Sequence, residues 1–233
     1  MAAQRREFLQ ACAGAATCAA LPLAAAPKGQ SYERVKLVDI DGRAIKLASL
    51  KVNHNYVFNY PFATTPCFLL NLDQAMPEKI GLKTETGTSY DWPGGVGPKK
   101  TLVAYSAICA HKLAYPSAQV SFISFRSKAS RASTRANVIT CCADASVYDP
   151  FAGARVLSGP APQPLATIVL EHDAKSDEIY AVGTFGGEKF IEFFDKFTFK
   201  LSLDSGTSDV KARAKKTAVL KDLKGYSTQT VTC

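Results

Sequence analysis

Residues 168–183, IVLEHDAKSDEIYAVG, hold two short apolar runs on either side of an Asp/Lys/Ser turn. β-rich runs of this length joined by a polar turn predict an antiparallel hairpin. The signature recurs in both directions along the chain, in YERVKLVDI (32–40), NYVFNYPF (55–62), PCFLLNL (66–72), TLVAYSAIC (101–109), ANVITCC (136–142), LATIVLEHD (165–173), DEIYAVGTF (177–185) and KFIEFF (189–194). Helical periodicity is scarce beyond the first thirty residues. The pattern predicts an antiparallel all-β protein. Residues 83–100, KTETGTSYDWPGGVGPKK, interrupt it and read as a Gly/Pro-rich turn, since a phosphate loop needs G-x-x-x-x-G-K-[ST] and that spacing is absent.

The chain has 233 residues, 47% of them hydrophobic, which is enough to bury a core without disulfides. Its formal net charge of +8 points to an acidic partner. The N-terminal stretch opens with Arg5-Arg6 and Phe8-Leu9 and runs on as an alanine-rich apolar segment to Ala26. Residues 1–26 therefore read as a twin-arginine export signal, sending the folded protein to the periplasm, with an uncleaved anchor helix in the inner membrane as the alternative. Residues 32–195 form the expected β domain, and 196–233 a polar, basic C-terminal extension with a loose end.

Seven cysteines stand at positions 12, 18, 67, 109, 141, 142 and 233. Outside the leader five remain, an odd number that argues against a complete disulfide framework. Cys67 reads as a buried strand residue, and His54 and His172 as surface histidines. The informative series is Cys109-x-His111, a gap, then Cys141-Cys142-x-Asp144, with Ser146, Tyr148 and Asp149 beyond it, and a loop at Gly159, Pro160, Ala161 and Pro162.

That ordered series resembles the Rieske [2Fe–2S] family, and among its members the flanking sequence looks most like the small subunit of arsenite oxidase. The resemblance covers about residues 32–190. It implies an all-β, Rieske-like antiparallel β-sandwich with a cluster-binding subdomain at about 105–164 inserted in it. Cys109 and Cys141 match the thiolate ligands and His111 the first imidazole ligand; Asp144 stands where the second histidine is expected. Three outcomes stay open for that position: Asp144 ligates iron, Cys142 takes the fourth place, or the site is a relic without cluster. Ser146 and Tyr148 match hydroxyls that tune the cluster, and Gly159–Pro162 the loop that covers it.

The resemblance implies a one-electron relay rather than a catalytic chain. Its partners would be a larger redox subunit, a molybdenum enzyme or a membrane respiratory complex, and an acidic electron-transfer protein such as a cytochrome. A cluster-free structural or assembly subunit is the first alternative and quinol oxidation of the cytochrome bc type the second. Between the loops, Arg126, Lys128, Arg131 and Arg135 form a basic stretch suited to docking an acidic redox partner. An exported protein does not meet nucleic acid, so that partner class is set aside.

Overall fold

The computed structural model describes residues 29–233, so the expected signal or anchor segment lies outside the described residues. The strands are β1 (Gln30–Val38), β2 (Tyr56–Asn59), β3 (Pro66–Asn71), β4 (Ile80–Lys83), β5 (Ser89–Trp92), β6 (Leu102–Ser106), β7 (Val120–Ser121), β8 (Ile123–Arg126), β9 (Val138–Cys141), β10 (Ser146–Asp149), β11 (Arg155–Ser158), β12 (Thr167–Asp173), β13 (Glu178–Phe185), β14 (Thr217–Val219), β15 (Lys221–Asp222) and β16 (Gln229–Thr230). Two helices accompany them, α1 (Lys189–Ser205) and α2 (Leu223–Tyr226). No helix among the described residues is long and apolar enough to cross a membrane.

The protein is built mainly of antiparallel β-structure. Eight strands form the main sheet in the order β14-β1-β13-β12-β6-β3-β2-β15. Its outermost strands, β14 and β15, are separated only by Leu220, whose amide bonds to the Val38 carbonyl at 2.8 Å. The sheet therefore curls until its two edges are neighbours, and its walls face each other across one core. The hairpin of residues 168–183 forms as expected: β12 and β13 pair antiparallel from Thr167 with Phe185 to Asp173 with Glu178.

Strands β2, β3 and β6 are apolar on both sides, and the packing explains why. Phe58, Leu69 and Ala104 point into the curled sheet. Their neighbours Val57, Phe68, Leu70, Val103 and Tyr105 point outward into a second core with Trp92, Ile139, Cys141 and Tyr148. A strand covered on both faces needs no polar alternation, hence the continuous run PCFLLNL. The second core belongs to an inserted subdomain, a four-stranded sheet in the order β11-β10-β9-β8.

Three expectations are corrected. KFIEFF is the start of α1 rather than a strand, with Phe190, Phe193, Phe194 and Leu201 buried against the main sheet. These positions share one helical face, and the helix ends at Gly206 in the left-handed conformation. Residues 83–100 are not simply a turn: β4 and β5 pair antiparallel, and the alternation Ser89-Tyr90-Asp91-Trp92 buries the two aromatic rings. The boundary at residue 195 falls within α1, and the chain beyond that helix is no loose arm. β14 pairs with β1, β15 with β2, and β16 runs parallel to β7.

Candidate metal centre

Two loops at one end of the subdomain bring the predicted residues together. The first leaves β6 and closes on itself through hydrogen bonds from the Cys109 amide to the Ala114 carbonyl (2.9 Å) and from the Leu113 amide to the Cys109 carbonyl (3.0 Å). The second is the turn of the β9–β10 hairpin, in which Cys141 lies opposite Ser146. An Asx turn shapes it: Asp144 Oδ1 accepts from the Ser146 amide at 2.9 Å. The Sγ atoms of Cys109 and Cys141 and a carboxylate oxygen of Asp144 all lie within 4.8 Å of one another. His111 joins them, its Nδ1 3.0 Å from Asp144 Oδ2. Asp144 is nearly enclosed, its side chain 2% exposed against 36% for His111, so the imidazole is the member of the set that meets solvent.

Both cysteines are free and buried. The thiol of Cys141, the hydroxyl of Tyr148 and the amides of His111 and Lys112 hold the Cys109 pKa below its ordinary value, against the opposing effect of burial. The hydrogen bond to Cys109 and burial push that of Cys141 up, so Cys109 ionises first. Burial acts to raise the Asp144 pKa. The Ser146 amide and the Cys109 and Cys141 side chains more than offset it and hold the carboxyl below the usual range. Tyr148 stays protonated because burial and the adjoining Cys109 drive its pKa up. Its hydroxyl lies 3.4 Å from Cys109 Sγ and accepts from the Ala110 amide at 3.1 Å.

The Ser146 hydroxyl is buried and has no hydrogen-bond partner. Such a group costs about 1–3 kcal/mol when nothing accepts its proton in a hydrogen bond, and it lies in the strand position paired with Cys141. The predicted covering loop also takes its place. Gly159, at φ +89°, lies so close to the second loop that a Cβ would stand 2.5 Å from Ser146 Cα and 2.6 Å from the Ala145 carbonyl oxygen. Ala161 is buried behind it, whereas Pro160 and Pro162 stay exposed. Two thiols, one imidazole and one carboxylate are together a donor set that suits iron.

Other candidates do not join the centre. Cys142 is bonded to Cys233, which removes it as the fourth ligand and corrects that alternative. No spacing rule links a residue to a cysteine 91 positions away, so the pair is invisible to sequence reasoning. Cys67 is fully buried in β3 and its thiol donates to the Tyr60 carbonyl at 2.9 Å. His54 pairs with Asp222, and His172 with Asp177 at 2.7 Å, its side chain only 7% exposed rather than on the surface. The basic stretch divides: Arg135 turns toward Asp149 at 3.7 Å, while Arg126 and Lys128 line a separate cleft.

Fold and site together define an antiparallel β protein that carries a paired-loop thiol, imidazole and carboxylate centre at the tip of an inserted sheet. No protein-family model matches the chain. Among solved structures it is similar to the soluble domain of the Rieske protein II (soxF) from Sulfolobus acidocaldarius, at 29% identity over 66% of this chain and 78% of that one, with a TM-score of 0.45.

Proposed function

We propose that the protein is a Rieske-like iron–sulfur electron-transfer subunit. The carrying observation is the gathering of Cys109, Cys141 and Asp144 ligand atoms within 4.8 Å of one another, with His111 hydrogen-bonded to Asp144, beside the buried, unpartnered hydroxyl of Ser146. When bound, a [2Fe–2S] cluster would supply reversible one-electron chemistry. Cys109 and Cys141 would hold one iron, His111 and Asp144 the other. Ser146 and Tyr148 would be the hydroxyl donors to sulfur, which would favour the reduced, more negative state. Gly159 and Ala161 keep water off the thiol side. His111, at the surface, is where a partner would approach.

An anionic carboxylate in place of a neutral imidazole makes the centre about one charge more negative, which favours a potential below the usual Rieske range of roughly −150 to +300 mV. This supports a relay over quinol oxidation, in which cluster histidines take up protons. In keeping with the leader sequence, we assign the relay to the periplasm, between a larger redox subunit and an acidic acceptor.

One observation favours the cluster-free reading: Asp144 is already satisfied by the Ser146 amide, the Cys109 thiol and His111. The Ser146 hydroxyl weighs against it. Iron and acid-labile sulfide per chain, with an EPR spectrum of the reduced protein matured in its native host, decide the matter. Two irons and two sulfides are expected, and the absence of both overturns the relay.

A further inference from the structure

A cleft of about 690 Å³ opens where three segments meet: residues 53–55 just before β2, residues 124–128 at the end of β8, and residues 222–232 of the C-terminal arm. It is remote from the thiols. Arg126 lies opposite Val138 in the β8–β9 pairing and Ile123 opposite Cys141, a separation of three residues or about 10 Å along the strand.

Its charge is unbalanced. Arg126, Lys128 and Lys224 all line it, and none of them forms an ion pair among the described residues. Asp222 is the one carboxylate in the wall, and it is engaged by His54 on one side and by the Lys224 amide at 2.9 Å on the other. The rest of the lining is rich in hydroxyl and amide groups, which donate hydrogen bonds to oxyanions as readily as cations do. A concave, polar site with surplus positive charge concentrates anions, and this volume falls in the range of small-molecule sites.

The third wall is not free to drift. The amides of Thr228, Gln229 and Val231 bond to the carbonyls of Ala118, Gln119 and Ser121 at 2.9, 3.0 and 2.9 Å, and the chain end is tied down by the Cys142–Cys233 bond. Thr228, Thr230 and Thr232 are thereby held in the wall of the cleft that Arg126 and Lys128 also line.

We propose that this cleft binds a small multivalent oxyanion, a molecule with two or three carboxylate or phosphate charges, and that the Cys142–Cys233 bond completes the site. The proposal is independent of the cluster. The test is isothermal titration calorimetry on the oxidised, purified protein with citrate, pyrophosphate and hexaglutamate. The first two separate a carboxylate from a phosphate ligand. Saturable one-site binding of citrate or pyrophosphate is expected, tighter than about 1 mM. Arg126→Ala, Lys128→Ala and Lys224→Ala should each weaken it at least about tenfold, and Lys83→Ala, an exposed lysine on β4, should leave it unchanged. Equal loss with Lys83→Ala means diffuse charge attraction and overturns the site. Binding of hexaglutamate alone overturns it in favour of a partner's acidic segment, and no binding of any probe overturns it outright. Cys233→Ser, checked by circular dichroism for a retained fold, should also lose affinity; full affinity in this variant removes the disulfide from the proposal. Should that variant fail to fold, Thr232→Ala tests the same wall.

Discussion

The side chain of Asn55 grips the backbone of Phe125 at both polar atoms: Nδ2 donates to the carbonyl at 2.9 Å, and Oδ1 accepts from the amide at 2.7 Å. Asn55 precedes β2 of the main sheet and Phe125 lies in β8 of the inserted subdomain, so one amide stands in for a strand neighbour and joins the two sheets. Asn55→Ala leaves a buried N–H and C=O of Phe125 without partners. At about 1–3 kcal/mol for each of the two orphaned groups, the loss should be about 2–6 kcal/mol, measured by urea unfolding. A loss under about 0.5 kcal/mol would show that water replaces the side chain at no cost.

Two residues in the first turns of α1 separate its helical form from the strand that KFIEFF suggests. Phe193 is fully buried and meets Tyr115 edge-on with ring centroids 4.9 Å apart, whereas Ile191 is 66% exposed. Phe193→Ala should cost about 3–5 kcal/mol, and Ile191→Ala within about 0.5 kcal/mol. In a strand, residues 191 and 193 would share a face and their substitutions would cost alike. Thermal unfolding of the two variants reads the difference.

The long strands and the 168–183 hairpin were legible because their patterns are local: side-chain alternation, or continuous apolar character where both faces are covered. Cys109, His111, Cys141, Asp144, Ser146 and Tyr148 were legible because loop chemistry keeps a fixed order along the chain. Helix α1 was obscured because a short aromatic run carries strand propensity, and only the spacing of Phe190, Phe193, Phe197 and Leu201 reveals the helix. β5 was hidden by its length of four residues among glycines and prolines. The C-terminal strands and the Cys142–Cys233 pair were illegible for another reason. β14 and β15 are three and two residues long, and what stabilises them is the vacant edges of a sheet built far upstream.

Removing that staple should be costly. The Cys142–Cys233 bond closes a loop with a sequence separation of 91, and losing such a constraint typically costs about 2–5 kcal/mol. Cys233→Ser should lower unfolding stability by that amount in oxidising buffer and by nothing in the presence of a strong reductant, where the parent protein loses the bond as well. An identical stability of parent and variant in oxidising buffer would show that the arm is held by its backbone pairing with residues 118–121 alone.

Glu178 predicts an acid-dependent contribution. The Lys36 ammonium, 2.7 Å away, and the Tyr180 hydroxyl lower its pKa to about 2, with Lys46 adding to the effect at 3.5 Å. A depressed folded-state pKa stabilises the protein above the unfolded value, about 4.3, and the gain is lost as pH falls toward about 2. Glu178→Gln should therefore be less stable than the parent at neutral pH, with the gap closing between about pH 4.3 and about pH 2. A gap that does not depend on pH would mean that the side chain acts by packing rather than by charge.

Asp144 is the residue on which the proposed iron–sulfur centre is tested. Its carboxylate is almost fully enclosed and is aimed at the two thiols and at His111 Nδ1, and the ionised form is favoured by the Ser146 amide. As an iron ligand it would add negative charge, which would disfavour reduction. Asp144→His removes that charge and supplies a neutral imidazole, so a redox titration followed by EPR should find the variant's potential raised into the range of roughly −150 to +300 mV, with iron content unchanged. Tyr148→Phe should move it the other way, since it deletes the hydroxyl 3.4 Å from Cys109 Sγ. Opposite shifts from these two substitutions cannot arise from general loosening of the loops, which would lower iron content in both. An Asp144→His variant with the parent's potential would mean that the carboxylate does not reach iron.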